Sequence, residues 1–208
     1  MLTFVSVPTL VMYGPVKSAG YILGSGPDTA AVIGGILEII VALAGIGTAV
    51  ALWSLLKKQS ESLALGLVAA RILESGTIFV GVAFLLTIVM LRQTGAGGAF
   101  LGTSHVLALL YDRIFLLGQS FMPAICDLLL GFLLYQSRLV PRGLSLIGII
   151  GGPILLVGYF AVLFGLPQHG SLAGLSAAPV ALFEFSLGLW LIIKGFNPQA
   201  VAALEIKN

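Results

Sequence analysis

Residues 31–56 contain a single charged side chain, Glu38, before the run is closed by Lys57 and Lys58. A helix of that length rises about 39 Å, more than the ~30 Å hydrocarbon core of a bilayer. Similar runs recur along the chain. Residues 63–91 hold Arg71 and Glu74 and end at Arg92, 114–136 contain Pro123, 144–166 contain Pro153, and 173–193 end at Lys194. Only 9% of the 208 residues are charged and the mean hydropathy is +1.13, whereas a soluble domain carries about 25% charged residues to meet water. Ten Lys and Arg plus eight Asp and Glu do not coat a globule of this size. The solvent around most of the chain is therefore expected to be lipid, and 27 glycines suit helices that approach closely inside it.

The predicted fold is an all-α transmembrane helical bundle forming one domain over residues 1–208. It has five full spans and a short amino-terminal half-span. That half-span, residues 2–13, has twelve apolar-rich residues with Pro8 inside, about 18 Å of helix, so it is not expected to cross as a straight helix. Tyr111, Asp112 and Arg113 are placed at or beyond the membrane surface, and Pro123 is expected to kink the third full span. Residues after Lys194 read as a short polar tail.

Lys57, Lys58, Arg138, Arg142, Lys194 and Lys207 fall on one side of this arrangement, against Lys17, Arg92 and Arg113 on the other. The positive-inside rule makes the first side cytoplasmic, and with it the carboxyl terminus, in the cell's inner membrane. Trp53, Tyr135 and Trp190 stand three or four residues before those basic caps, where an interfacial aromatic belt belongs. The start of the chain lacks a basic segment and an Ala-x-Ala site, so no cleavable signal peptide is expected. A net charge of +2 without a basic run argues against a nucleic-acid partner.

Four ionisable residues fall at similar depth. Counted from the cytoplasmic ends of their spans, Arg71, Glu74, Asp127 and Glu184 lie 8 to 11 residues in, roughly 12–17 Å and close to the midplane. An unpaired charge there costs about 2.5–3.5 kcal/mol, so four approach the roughly 5–15 kcal/mol net stability of a whole domain. Their helices should turn these faces toward one another, and Arg71 and Glu74, at i and i+3, share a face already. One Arg against three carboxyls leaves an excess of acid, and at least one carboxyl is expected to hold a proton. Two readings compete: a staple that fixes helix register, and a binding site for a proton, cation or ligand.

Glu38 counts to the outer rim beside Asp112 and Arg113, where an ionic surface patch is expected. His105 and His169 stand in loops without a Cys or Glu at ligand spacing, so no metal site is expected. Cys126 adjoins Asp127, but neighbouring helix residues point in different directions. Walker, HExxH, GxSxG and dinucleotide fingerprints are absent, no cofactor is implied, and the chain leans away from an enzyme. Gly148 and Gly152 form a GxxxG pair, a weak motif in so glycine-rich a chain.

The stretches FLLYQSRLVPR (132–142), LGLWLIIKGFNP (187–198) and AARILES around Arg71 resemble the bacterial domain of unknown function 4386, a family of small multi-pass membrane proteins. The resemblance runs over nearly the whole chain and supplies no catalytic residues. Members typically begin with a full first transmembrane segment whose end is similar to LTFVSVPTLVMYGP. The chain here starts in the middle of that segment. Two functions follow as expectations: a small transporter or ligand-binding protein using the Arg71 cluster, or a non-catalytic accessory subunit packed against another membrane protein or a second copy.

Overall fold

The structure is a computed structural model that describes residues 8–206 apart from 10, 19, 96 and 168–171. Every regular element among these residues is helical. The first long helix, α1 (Thr29–Leu56), follows Pro27 and Asp28 and stops at the polar turn Lys57–Ser60. It returns as α2 (Glu61–Gln93), which packs against α1, α3 and α4 and so forms the spine of the bundle.

α3 (Leu101–Leu116) runs without a break through a π-turn, Leu117–Phe121, into α4 (Met122–Ser137). The π-turn has a local cause. Pro123 has no N–H to give the carbonyl four residues back, and its ring crowds that carbonyl, so the preceding turn widens. The segment Leu101–Ser137 is therefore one helix of 37 residues, which starts well before residue 114. Tyr111, Asp112 and Arg113 lie inside it. Nothing between Leu101 and Leu116 breaks a helix, and Asp112 is neutralised from outside by Lys17 at 2.6 Å.

α5 (Arg142–Leu163) begins after Pro141 and ends at Gly165, whose φ of +101° reverses the chain. A single turn, α6 (Leu172–Leu175), precedes α7 (Ala178–Ile193). The expected last span is thus divided, and α7 alone, at 16 residues or about 24 Å, is short for a full crossing. The expected polar tail is instead a helix, α8 (Pro198–Ile206), bent 91° from α7 and burying Ala200 and Leu204. Among the described residues four helices are long and apolar enough to cross a membrane, or five if α7 and α8 count as one bent span. The five full spans read from the sequence are reached only on the second count, and most of the half-span lies outside the described residues. Of the amino-terminal segment, Pro8, Thr9 and Val11–Tyr13 are helical, while residues 2–7 and Leu10 lie outside the described residues.

The largest core cluster joins Leu56, Leu67, Leu133, Leu139, Phe183 and Leu204, which brings the Lys57 turn, the Arg138 loop and the α7–α8 bend to one end of the bundle. Gln59 donates to Gln136 across that end at 3.1 Å. Outward-facing positions are apolar as well: Leu43, Val50, Leu65, Ile72, Met90 and Val157 are all more than half exposed. A surface of that kind matches lipid, not water.

Candidate functional site

Arg71 stands ten residues into α2, Asp127 ten residues before the end of α4, and Glu184 nine before the end of α7, about 14–15 Å from the basic end in each case. Close approach of three helices turns these positions inward. A Cβ at Gly152 would lie 2.7 Å from the Ala124 carbonyl oxygen, so glycine alone lets α5 rest on the backbone of α4. A Cβ at Gly148 would meet the Phe183 ring at 2.7 Å; its absence seats fully buried Phe183, which fixes the rotation of α7 and with it the aim of Glu184. The GxxxG pair thus serves two different partners. Gly118, in the π-turn, lies so near Thr77 of α2 that any side chain there would collide with it.

The result is one guanidinium among three carboxyls. Arg71 Nη1 donates to Glu74 Oε1 at 3.1 Å and Oε2 at 2.9 Å; Nη2 donates to Glu184 Oε1 at 3.3 Å and Asp127 Oδ1 at 3.5 Å. Cys126 Sγ donates to Glu74 Oε2 at 3.3 Å, so Cys126 and Asp127, though adjacent, both reach the cluster from α4. Asp127 is completely buried, and its Oδ2 has no hydrogen-bond partner among the described residues. Glu184 keeps 24% of its side chain exposed, which leaves the cluster open on the α7 side. With every group ionised the set carries one positive and three negative charges. The acids surround the guanidinium instead of converging on a common point, and no three His, Cys, Asp or Glu side chains among the described residues are grouped to hold a metal ion.

The expected outer patch of Glu38, Asp112 and Arg113 does not assemble. Asp112 pairs with Lys17, whose Nζ also lies 5.4 Å from the centre of the Tyr111 ring, and Arg113 points outward without an ion pair among the described residues. Glu38 is only 2% exposed because it shares the inward face of α1 with Gly34, Gly35 and Ala42. Its Oε1 accepts from Thr9 Oγ1 at 3.2 Å and, weakly, from Gln119 Nε2 at 3.5 Å. Glu38 Oε2 and the buried hydroxyls of Tyr13 and Tyr111 have no partner among the described residues. Counting residues from one helix end gave Glu38 a depth but not a face. Gln119, a lone amide in the apolar run before Asp127, was the available sign that something polar sits there. His105 is exposed, and His169 lies outside the described residues.

At the end of the bundle opposite Lys57, Arg92 fastens the chain that enters α1. Its Nη1 donates to Asp28 Oδ1 at 2.8 Å, Nη2 to the Gly26 carbonyl at 2.7 Å and Nε to the Gly24 carbonyl at 3.1 Å, while its guanidinium lies 4.4 Å from the Tyr21 ring centre. Tyr21 and Gln93 also donate to Asp28. The hydrogen bonds from Tyr21 and then Gln93 hold the Asp28 carboxyl below its ordinary range, with the Arg92 charge adding to them against the effect of burial. Burial and the Asp28 bond push the Tyr21 hydroxyl upward.

Apolar helices with an apolar outer surface, closed around a buried ionic cluster, define the class: a helical bundle with the make-up of an integral membrane protein. The chain belongs to the family described as domain of unknown function DUF4386, whose model matches residues 1–195. No curated protein and no solved structure matches the chain.

Proposed function

We propose that this protein binds and releases a proton, or a small cation in its place, at the cluster of Arg71, Glu74, Asp127 and Glu184. That is the chemistry of a small transporter or a ligand-responsive membrane protein. One observation carries the reading: Asp127 is fully buried beside two other acids on a single guanidinium, and one of its oxygens has no hydrogen-bond partner among the described residues. A staple that only fixes register is better served by balanced charge and satisfied acceptors, since each unpaired buried group costs about 1–3 kcal/mol. The partly exposed Glu184 supplies the side from which exchange occurs. Lys57, Lys58, Arg138, Arg142 and Lys194 lie at one end of the bundle, against Lys17 and Arg92 toward the other, which supports a cytoplasmic carboxyl terminus. A reporter fused after residue 208 and active only outside the cytoplasm would refute that orientation.

The central test is infrared difference spectroscopy of the reconstituted protein across a pH titration. A protonated-carboxyl stretching band that responds to pH and is lost in Asp127→Asn is the expected result. If no band responds to pH in the parent, the cluster is a static fastener.

One observation favours a second reading, an accessory subunit. The apolar window of α1 is only 17% buried, against 33–44% in the other three long helices, and Gly47 on it faces open space. Cross-linking in the native membrane through Gly47→Cys, trapping a protein neighbour, separates this role from lipid exposure alone.

A further inference from the structure

The basic end of the bundle carries a feature that neither the buried cluster nor the family assigns. A cleft of about 530 Å³ opens between the Arg138–Pro141 loop, the start of α5 and the bend that joins α7 to α8. Its rim holds three exposed cations, Arg138, Arg142 and Lys194, and no acidic residue lines it. Trp190 and Phe196 give it an apolar side. The geometry is fixed before any ligand arrives. The Asn197 amide donates to the Leu139 carbonyl at 2.9 Å, tying the bend to the loop, while buried Leu139 and Leu204 anchor both walls in the same core cluster.

Two local details point to an anion. α5 starts at the cleft, and its Leu144 and Ser145 amides already bond to the Pro141 carbonyl, so the amides of Arg142 and Gly143 stand at the electropositive helix end without an intrahelical acceptor. Arg138 caps α4 at φ 55°, ψ 26°, the left-handed region where glycine or asparagine is the usual cap, and it is the only described non-glycine residue with positive φ. A long cationic side chain occupies a position where its backbone is disfavoured, which is the kind of outlier from which function is inferred.

We propose that this cleft binds a phosphate-bearing anion. Three cations and a helix start supply donors from several directions, and a phosphate group offers several charged acceptor oxygens to match. A carboxylate has fewer. Basic pockets between helices on the cytoplasmic side are suited to phospholipid headgroups, and the apolar wall of Trp190 and Phe196 would take the start of an acyl chain. A soluble phosphate ester presents the same charged group without the chain. This site stands apart from the Arg71 cluster and does not depend on the role proposed for it.

The experiment is native mass spectrometry of the full chain in detergent. The chain is incubated with phosphatidylglycerol, with phosphatidylcholine of equal chain length, or with inorganic phosphate. The parent is expected to retain phosphatidylglycerol or phosphate and to discriminate against phosphatidylcholine. Retention of phosphatidylglycerol alone identifies a lipid headgroup as the source, and retention of phosphate as well identifies a soluble ester; both support the site. Arg142→Gln and Lys194→Gln should each weaken retention about five-fold, and together about 25-fold. Arg142→Lys and Lys194→Arg, which keep the charge, should retain the anion and guard against loss through misfolding. Lys57→Gln with Lys58→Gln, on the same end but outside the cleft, should change nothing. The proposal is overturned if the parent retains neither anion or holds both lipids equally. It is overturned equally if Arg142→Gln with Lys194→Gln binds like the parent, or if the Lys57 and Lys58 pair matters as much as the cleft.

Discussion

Arg71 and Arg92 stand 21 residues, about 32 Å, apart on the same helix, and both guanidiniums are largely covered, with side-chain exposures of 16% and 10%. Burial therefore does not distinguish them. Their acceptors do. Arg92 meets one carboxylate and two backbone carbonyls, and both oxygens of that carboxylate are engaged, so the pair is neutral and its acceptors are satisfied. Arg71 meets three carboxyls, and among the described residues Asp127 keeps an oxygen with no partner. A neutral, satisfied clasp has nothing to exchange. An acid-rich cluster around one cation balances only by taking up positive charge, and that difference underlies the assignment of structure to one arginine and chemistry to the other.

The sharpest way to break the comparison is to remove the acids from the inner cluster. Glu74→Gln combined with Asp127→Asn and Glu184→Gln leaves a guanidinium that does not lose its proton, because arginine stays charged in proteins. The expected cost is about 3–5 kcal/mol, read as a large fall in melting temperature in detergent and a poor folded yield. Arg71→Ala should be milder for folding, since the acids it abandons are able to take protons. It should still abolish the pH-responsive infrared band. If both variants melt like the parent, the cluster neither holds the bundle nor serves it.

Arg92→Gln tests the outer clasp and should fall in the middle of the range. It removes a charge from three hydrogen bonds, for an expected loss of about 1.5–3 kcal/mol. Faster hydrogen exchange over residues 20–28 should accompany the lower melting temperature, while the infrared band stays as in the parent. A band that shifted with Arg92 would mean the two arginines are coupled along α2, and the contrast between them would fail.

The inner cluster was legible in the sequence because charge in an apolar run is rare, and because counting along a straight helix converts position into depth. Arg71, Glu74, Asp127 and Glu184 come together as that count required. The same count misled for Glu38, since depth carries no information about which face a residue occupies, and the outer patch expected of it dissolved into a buried acid and a Lys17–Asp112 pair. The helix that carries the third span also begins at Leu101, earlier than the residue 114 from which that span was counted. Asp112 and Arg113 look like a boundary in sequence, but a helix tolerates them once Lys17 arrives from 95 residues earlier, a contact with no local signal. The fold-back of α8 depends on Gly195 at φ +69° and on burial of Ala200 and Leu204, a tertiary gain that apolar-run length does not report.

The smallest effect belongs to Asp28, and it sharpens the comparison through pH. The Tyr21 hydroxyl, the Gln93 amide and the Arg92 charge favour the ionised carboxylate, so its value in the folded protein lies below the ordinary 3.8. A carboxyl lowered by folding stabilises the fold fully above the unfolded value, and that contribution disappears as pH falls through the folded one. The contribution is modest, about 0.2–1 kcal/mol, because the pair lies at the end of the bundle where water screens it. Asp28→Asn keeps an acceptor for Tyr21 but removes the charge opposite Arg92 and everything that titrates. Parent and variant should therefore differ by that small amount at about pH 6, and their melting curves should converge as pH is lowered from about 4 toward 2. Subtracting the variant cancels the other carboxyls, which titrate in both proteins. A difference that grew on acidification would have the wrong sign, and Asp28 would then not be the balanced partner that makes Arg92 a fastener.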